Sequence, residues 1–332
     1  MNEHYSTGLR TGDGTGKSAL YRRLGQSGLL VSAVSLRLSC DQGINEPQPS
    51  QQLALVERAL DQGVNHFDLM MPPNRLHNHL NLHQSVLSAL YEHREDVVVS
   101  AQVGFHPLGR LAGFGSSKHI TSALDGILRQ TGLEYLDILY LNRYDRITPM
   151  RETVKAMTTA VDRGKTLYVG LSDYAPASAL RIAKALSELG NPAIACQAPF
   201  SLLNPWAQDA LTPIMEKQGA SLVAETSLPK HLISYATADC RGGSVHDAVQ
   251  LNGRRREAMK QLEGIAVRRG QSLISLAVSW VLRDWRVASS LLPISSVALF
   301  DESLTAMSHL DFTADELSAI DSCREQIDTI FD

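Results

Sequence analysis

Eight short apolar runs alternate with helical stretches, and most of these runs are apolar on both faces. No G-x-G-x-x-G turn follows the first of them. Together these observations predict an α/β fold, a (β/α)8 TIM barrel, in which parallel strands close into a cylinder ringed by helices. Strands buried on both sides read as continuous apolar segments, and the missing glycine fingerprint counts against a doubly wound open sheet.

The elements follow in order. Residues 1–20, rich in Gly, Ser and Thr, read as a flexible arm, and residues 21–332 as a single barrel domain. Within the arm, Gly12-Asp13-Gly14-Thr15-Gly16-Lys17-Ser18 resembles a phosphate loop. Thr11 stands where the motif needs its first Gly, and no apolar strand precedes it, so a flexible tail is the better reading. Val31–Leu38 is the first strand, and Pro49-Ser50 starts a helix over 51–62 with Leu53, Val56, Ala59 and Leu60 on one face. Gly63 ends that helix, and Val64–Leu69 is a strand carrying Asp68 near its far end. A helix over 80–93 leads to a strand over 96–102, and a helix over 117–130 leads to Leu136–Asn142. Thr148-Pro149 starts the next helix, with proline at the first helical position, and Gly164 stops it. Strands over 167–172, 193–197 and 221–224 alternate with helices over 176–189 and 207–218. A long irregular connection spans 229–252. Helices over 254–269 and 272–283, a strand over 289–292, and a last helix announced by the Thr313/Glu316 capping box complete the chain.

Composition narrows the function classes. The chain is 44% hydrophobic and 20% charged with a net charge of -4, which gives no basic footprint for nucleic acid. No run reaches the ~18 apolar residues of a membrane span, and Met1-Asn2-Glu3-His4 is no signal peptide, so a cytoplasmic setting is expected. Cys40, Cys196, Cys240 and Cys323 are too scattered for a disulfide framework or a zinc site. His79 and His83 share a helical face beside His77. Leu80 takes the place of the Glu in H-E-x-x-H, so no metal is expected. Arg254-Arg255-Arg256, followed by Glu257, reads as a solvated helix start rather than an anion clamp. Trp280 and Trp285 are expected in the core.

Several segments carry a family resemblance. Arg23-Leu24-Gly25-Gln26-Ser27-Gly28-Leu29, His66-Phe67-Asp68, Gly132-Leu133-Glu134-Tyr135-Leu136-Asp137, the run from Gly164 to Ser172, and Arg269-Gly270-Gln271-Ser272 resemble the aldo-keto reductases. Within that family, the resemblance is to the branch of bacterial L-glyceraldehyde 3-phosphate reductases and potassium-channel beta subunits. It runs from Tyr21 to the last helix and implies carbonyl reduction by NADPH through an Asp, Tyr, Lys and His at the barrel mouth. There, Tyr protonates the carbonyl oxygen, Lys held by Asp lowers the Tyr pKa, and His orients the substrate.

Carried over position by position, only Asp68 keeps its catalytic residue. Pro73 stands in place of Tyr, Gln102 in place of Lys and Asn142 in place of His. Proline has no proton to give, and the two amides do not titrate. On the cofactor side the resemblance assigns Ser172, Asp173 (in place of Asn) and Gln197 to the nicotinamide carboxamide, and Phe200 to stacking. Ser296 replaces the Arg that grips the 2′-phosphate, Pro293 removes a backbone donor, and Arg37 replaces a Gly of the first strand. Weak NADPH binding is therefore expected.

Asp68, without its Lys, needs another partner, and Arg37 at the end of the adjacent strand is the candidate. His106, Tyr144 and Tyr174 follow strand ends and are the candidate substitute acids. Three functions fit these residues: a pseudoenzyme kept for ligand binding or assembly, a divergent NAD(P)H-dependent oxidoreductase with a substituted proton donor, or a binder of a different small molecule. Members of the resembled family form oligomers, so the resemblance implies self-association, for which the sequence supplies no interface.

Overall fold

The computed structural model describes residues 9–10, 19–39, 48–70, 84–104, 114–226 and 253–328. A small antiparallel sheet comes first, made of β1 (Leu9–Arg10), β2 (Leu20–Arg23) and β3 (Leu30–Ser32). Eight parallel strands then close into a barrel. They are β4 (Val34–Ser39), β5 (His66–Met70), β6 (Val98–Gly104), β7 (Leu136–Asn142), β8 (Thr166–Ser172), β9 (Ala193–Pro199), β10 (Ser221–Glu225) and β11 (Val287–Leu292), with β11 pairing back onto β4.

Two hydrophobic cores explain why the strands read as continuous apolar runs. Outward-facing residues such as Leu36, Phe67, Val99, Leu139 and Leu171 pack beneath the helices. Inward-facing Val98, Ile138, Tyr140, Ala195, Val223 and Leu291 fill the cylinder, together with Leu24 and Val31 from the N-terminal hairpin. The hairpin is thus the plug of the barrel's lower end. Its turn docks beside β10, with Gly25 N–H donating to Ser221 Oγ (2.9 Å) and Gln26 N–H to the Gly219 carbonyl (2.8 Å). Gly25 has φ +59°, and a Cβ there would lie 2.3 Å from the Gly219 oxygen, so only glycine fits.

Some of the helices start where a side chain satisfies a free backbone N–H group. Ser116 caps the helix Ser117–Thr131 and Ser272 caps Leu273–Leu282. The Thr313/Glu316 capping box forms as read, at 2.8 and 3.2 Å, and Glu316 also accepts from Arg269.

Four local expectations are corrected. The apolar run 31–38 is two strands, because Leu30–Ser32 turns back to pair with β2 before the barrel strand begins at Val34. The helix expected over 207–218 breaks into Ala207–Ala210 and Thr212–Lys217, since Pro213 has no N–H to continue the first segment. Pro149 is the cap of the helix Met150–Asp162, one position before the first helical residue. Trp280 is 1% exposed as expected, but Trp285 is 50% exposed, lying in the turn beyond the apolar helix. The phosphate-loop-like segment, His77, His79, His83, the 229–252 connection and the side chains of Arg254–Arg256 lie outside the described residues.

The plug makes a direct stability prediction. Leu24 is fully buried at the floor of the cylinder, so Leu24→Ala is expected to lower the unfolding free energy by about 2–5 kcal/mol, read from urea denaturation.

Candidate active site at the barrel mouth

Strand register decides which side chains meet at the C-terminal end of the barrel. Arg37 on β4 lies opposite Asp68 on β5, and Asp68 lies opposite Ser100 on β6. Further round, Asn142 on β7 is opposite Ser172 on β8, and Ser172 is opposite Gln197 on β9. The period-two alternation of strands turns these residues, with Gln102 and Glu225, into the cylinder.

They form one hydrogen-bonded network. Asn142 Nδ2 donates to Gln102 Oε1, and Gln102 Nε2 donates to Gln197 Oε1 at 2.7 Å. Gln197 Nε2 in turn donates to Asp68 Oδ1 at 3.1 Å. Ser100 Oγ donates to the same oxygen at 2.6 Å. The other Asp68 oxygen takes Arg37 Nε at 3.0 Å, so the partner expected from the sequence is in place. Arg37 Nη2 reaches Glu225 Oε1 at 2.7 Å and Gln197 Oε1 at 3.4 Å. Burial alone would lower the Arg37 pKa, but Asp68 and Glu225 hold it above its ordinary value, so the guanidinium stays charged.

Below this layer lies a buried histidine. His66 Nε2 is 3.0 Å from Ser100 Oγ, and its Nδ1 is 2.9 Å from Ser35 Oγ. Because Ser100 gives its proton to Asp68, Nε2 must donate to Ser100 and Nδ1 must accept from Ser35. Burial pulls the His66 pKa down to about 4; the Asp68 charge opposes the shift and the Arg37 charge adds to it. His66 is neutral at physiological pH.

Several groups of this mouth are ill suited to give up a proton near neutrality. The amides do not ionise and Arg37 holds its proton. Tyr140 is fully buried, and burial raises its pKa well above the ordinary value. Tyr174, one of the candidate substitute acids, is 2% exposed and also shifted upward by burial. Tyr144 packs edge-on against Tyr174, at 6.4 Å between ring centroids. His106 and Pro73 lie outside the described residues.

The residues assigned to a nicotinamide cofactor are only partly gathered. Ser172 and Gln197 adjoin each other at strand ends, and both are buried. Asp173 has φ +61° and follows Ser172; its carboxylate accepts from Arg143 Nε at 3.2 Å, and Arg143 itself has φ +60°. Two non-glycine residues in left-handed backbone at adjacent strand ends are held there by the barrel around them. Phe200 is 1% exposed and packs against Trp280 at 5.4 Å between ring centroids. Ser296 is the residue before the helix Val297–Leu304, beyond the exposed Pro293, and offers no cation. Among the described residues, no group of His, Cys, Asp and Glu is arranged to hold a metal ion, and no helix is long and apolar enough to cross a membrane.

Glu225 and Ser100 are the members of the network that sequence reasoning did not single out. The signal was present as parity. Glu225 shares the inward face of β10 with Val223, and Ser100 shares that of β6 with Gln102. Reading the tenth strand as ending at Ala224 hid the first of them.

Comparison with known proteins places this site in a family. The sequence model of the aldo/keto reductase family matches residues 38–325. The chain is 32% identical over 318 residues to the L-glyceraldehyde 3-phosphate reductase of Escherichia coli O157:H7, covering 91% of each chain. The same identity and coverage hold for the L-glyceraldehyde 3-phosphate reductase of Escherichia coli strain K12.

The His66 environment predicts a pH dependence. In the unfolded chain His takes up a proton near pH 6.5, whereas the folded protein resists until about 4. The stability His66 contributes is therefore complete above 6.5 and is lost as the pH falls toward 4. The slope attributable to this one proton is at most about 1.4 kcal/mol per pH unit. Urea unfolding of His66→Gln is expected to show a flatter profile than the wild type across that window.

Proposed function

The chain belongs to the aldo/keto reductase family, and we propose that within it this barrel does not reduce carbonyls and is retained for ligand binding or assembly. The observation that carries the reading is the amide ladder Asn142–Gln102–Gln197, which ends on an Asp68 already neutralised by Arg37. Carbonyl reduction needs a proton delivered to the oxygen as hydride arrives, from a group whose pKa lies near the working pH. Gln102 and Asn142 stand where the resemblance puts a cation and an imidazole; Gln102 spends both ends of its amide on the ladder and Asn142 its Nδ2.

The cofactor that family membership implies is NAD(P)H, and the residues at the nicotinamide end do not fit it. Gln197 uses its amide on Asp68 and its carbonyl oxygen on Gln102 and Arg37. The Phe200 ring is already covered by Trp280. Ser296 brings no charge to a 2′-phosphate. These features support weak NADPH binding. The reductase activity named for the E. coli proteins is theirs, and the tetrad substitutions are what separate this chain from it.

Incubating purified protein with NADPH and small aldehydes while following nicotinamide absorbance tests the proposal. No aldehyde-dependent oxidation above the protein-free control is expected, and Pro73→Tyr alone is expected to recover none, because several losses act together at one site. Steady oxidation that co-purifies with the wild-type protein and disappears in Asp68→Ala would contradict it.

A further inference from the structure

Strands β4 and β10 are not neighbours, since β11 runs between them. Arg37 nevertheless reaches from one to the other. Its Nε stays on Asp68 at 3.0 Å while Nη2 lies 2.7 Å from Glu225 Oε1 and 3.4 Å from Gln197 Oε1. The side chain crosses the mouth and ends on the amide that the resemblance assigns to the nicotinamide carboxamide. Only 13% of the Arg37 side chain and 21% of the Glu225 side chain remain exposed. A planar guanidinium held at both ends is rigid, and pulling it away would strand two partly or fully desolvated carboxylates.

We infer that Arg37 and Glu225 form a latch across the nicotinamide end of the mouth, and that this pair determines what the barrel admits. The inference rests on the preceding reading of a barrel that does not run the family's reduction. It adds a cause located at the nicotinamide end, separate from the missing cation at Ser296. The Nη2–H donation to Gln197 Oε1 is the contact an incoming carboxamide N–H would make, so the guanidinium competes for the acceptor atom's second lone pair, the first being taken by Gln102 Nε2 at 2.7 Å. Glu225 supplies the far anchor. Without it Arg37 is held firmly only through Nε, and Nη2 keeps only its longer 3.4 Å contact with Gln197 Oε1.

Reduced nicotinamide mononucleotide is the appropriate probe, because it lacks the adenosine 2′-phosphate and so ignores Ser296. It is titrated, with nicotinamide fluorescence as readout, into the wild type, Glu225→Ala and the double variant Arg37→Gly/Asp68→Asn. The double variant opens the mouth without leaving Asp68 as an unpaired buried charge, and circular dichroism checks that each protein is folded. Should the double variant not fold, Glu225→Ala carries the test, since it keeps the Arg37–Asp68 pair. The wild type is expected to show no saturation by about 1 mM probe, and the opened variants to bind at least about tenfold more tightly. Folded variants that bind no better than the wild type, or micromolar binding by the wild type itself, would overturn the latch. Aldehyde reduction by the wild type overturns the preceding reading, whereas this titration judges the latch.

Discussion

The ion pair between Arg37 and Asp68 is the interaction around which the barrel mouth is arranged. A carboxylate that is fully buried at the end of an inward-facing strand must be paired, protonated or solvated. Here it is paired, by the residue directly opposite on the neighbouring strand. That single choice fixes the rest. The guanidinium has a second edge to satisfy, which draws in Glu225 from across β11, and the remaining Asp68 oxygen collects Ser100 and Gln197. Gln197 then orients Gln102, and Gln102 orients Asn142.

Among the described residues, the consequence is a mouth in which the amides and the guanidinium hold one another in position. Amides and a guanidinium form strong directional hydrogen bonds but offer nothing that titrates near neutrality. The buried His66 does not change this, because its ring nitrogens are committed to Ser35 and Ser100 and burial keeps it neutral. A barrel of this kind keeps the scaffold on which many chemistries are built, while its function is decided by the side chains at the strand ends. In this chain those side chains describe a connected polar network that ends on Asn142 Oδ1, which is unpartnered among the described residues.

Much of this was legible in the sequence, for identifiable reasons. Barrel strands buried on both faces announce themselves as unbroken apolar runs, and caps such as Ser272 and Thr313 with Glu316 mark helix starts by local chemistry. Asp68 stood out because it lies near a strand's C-terminal end, where a barrel puts its chemistry, whereas Gln102 and Asn142 were marked by the positions the family resemblance assigns. The pairing of Arg37 with Asp68 followed from adjacency of the strands. What escaped was non-local. The antiparallel hairpin that plugs the floor looks in sequence like an extension of the first barrel strand, because both are short and apolar. Glu225 met Arg37 only through barrel closure, which brings β10 within reach of β4. The burial of Phe200 depends on Trp280, 80 residues later on an outer helix, a contact no local pattern encodes.

A double-mutant cycle on Arg37 and Asp68 tests most directly whether this pair holds the mouth together. Stability to urea is measured for the wild type, Arg37→Gln, Asp68→Asn and the double variant at neutral pH. The account predicts a coupling energy of about 2 kcal/mol or more, with either single variant losing much more than its share of the double. Effects that add within about 0.5 kcal/mol would contradict it.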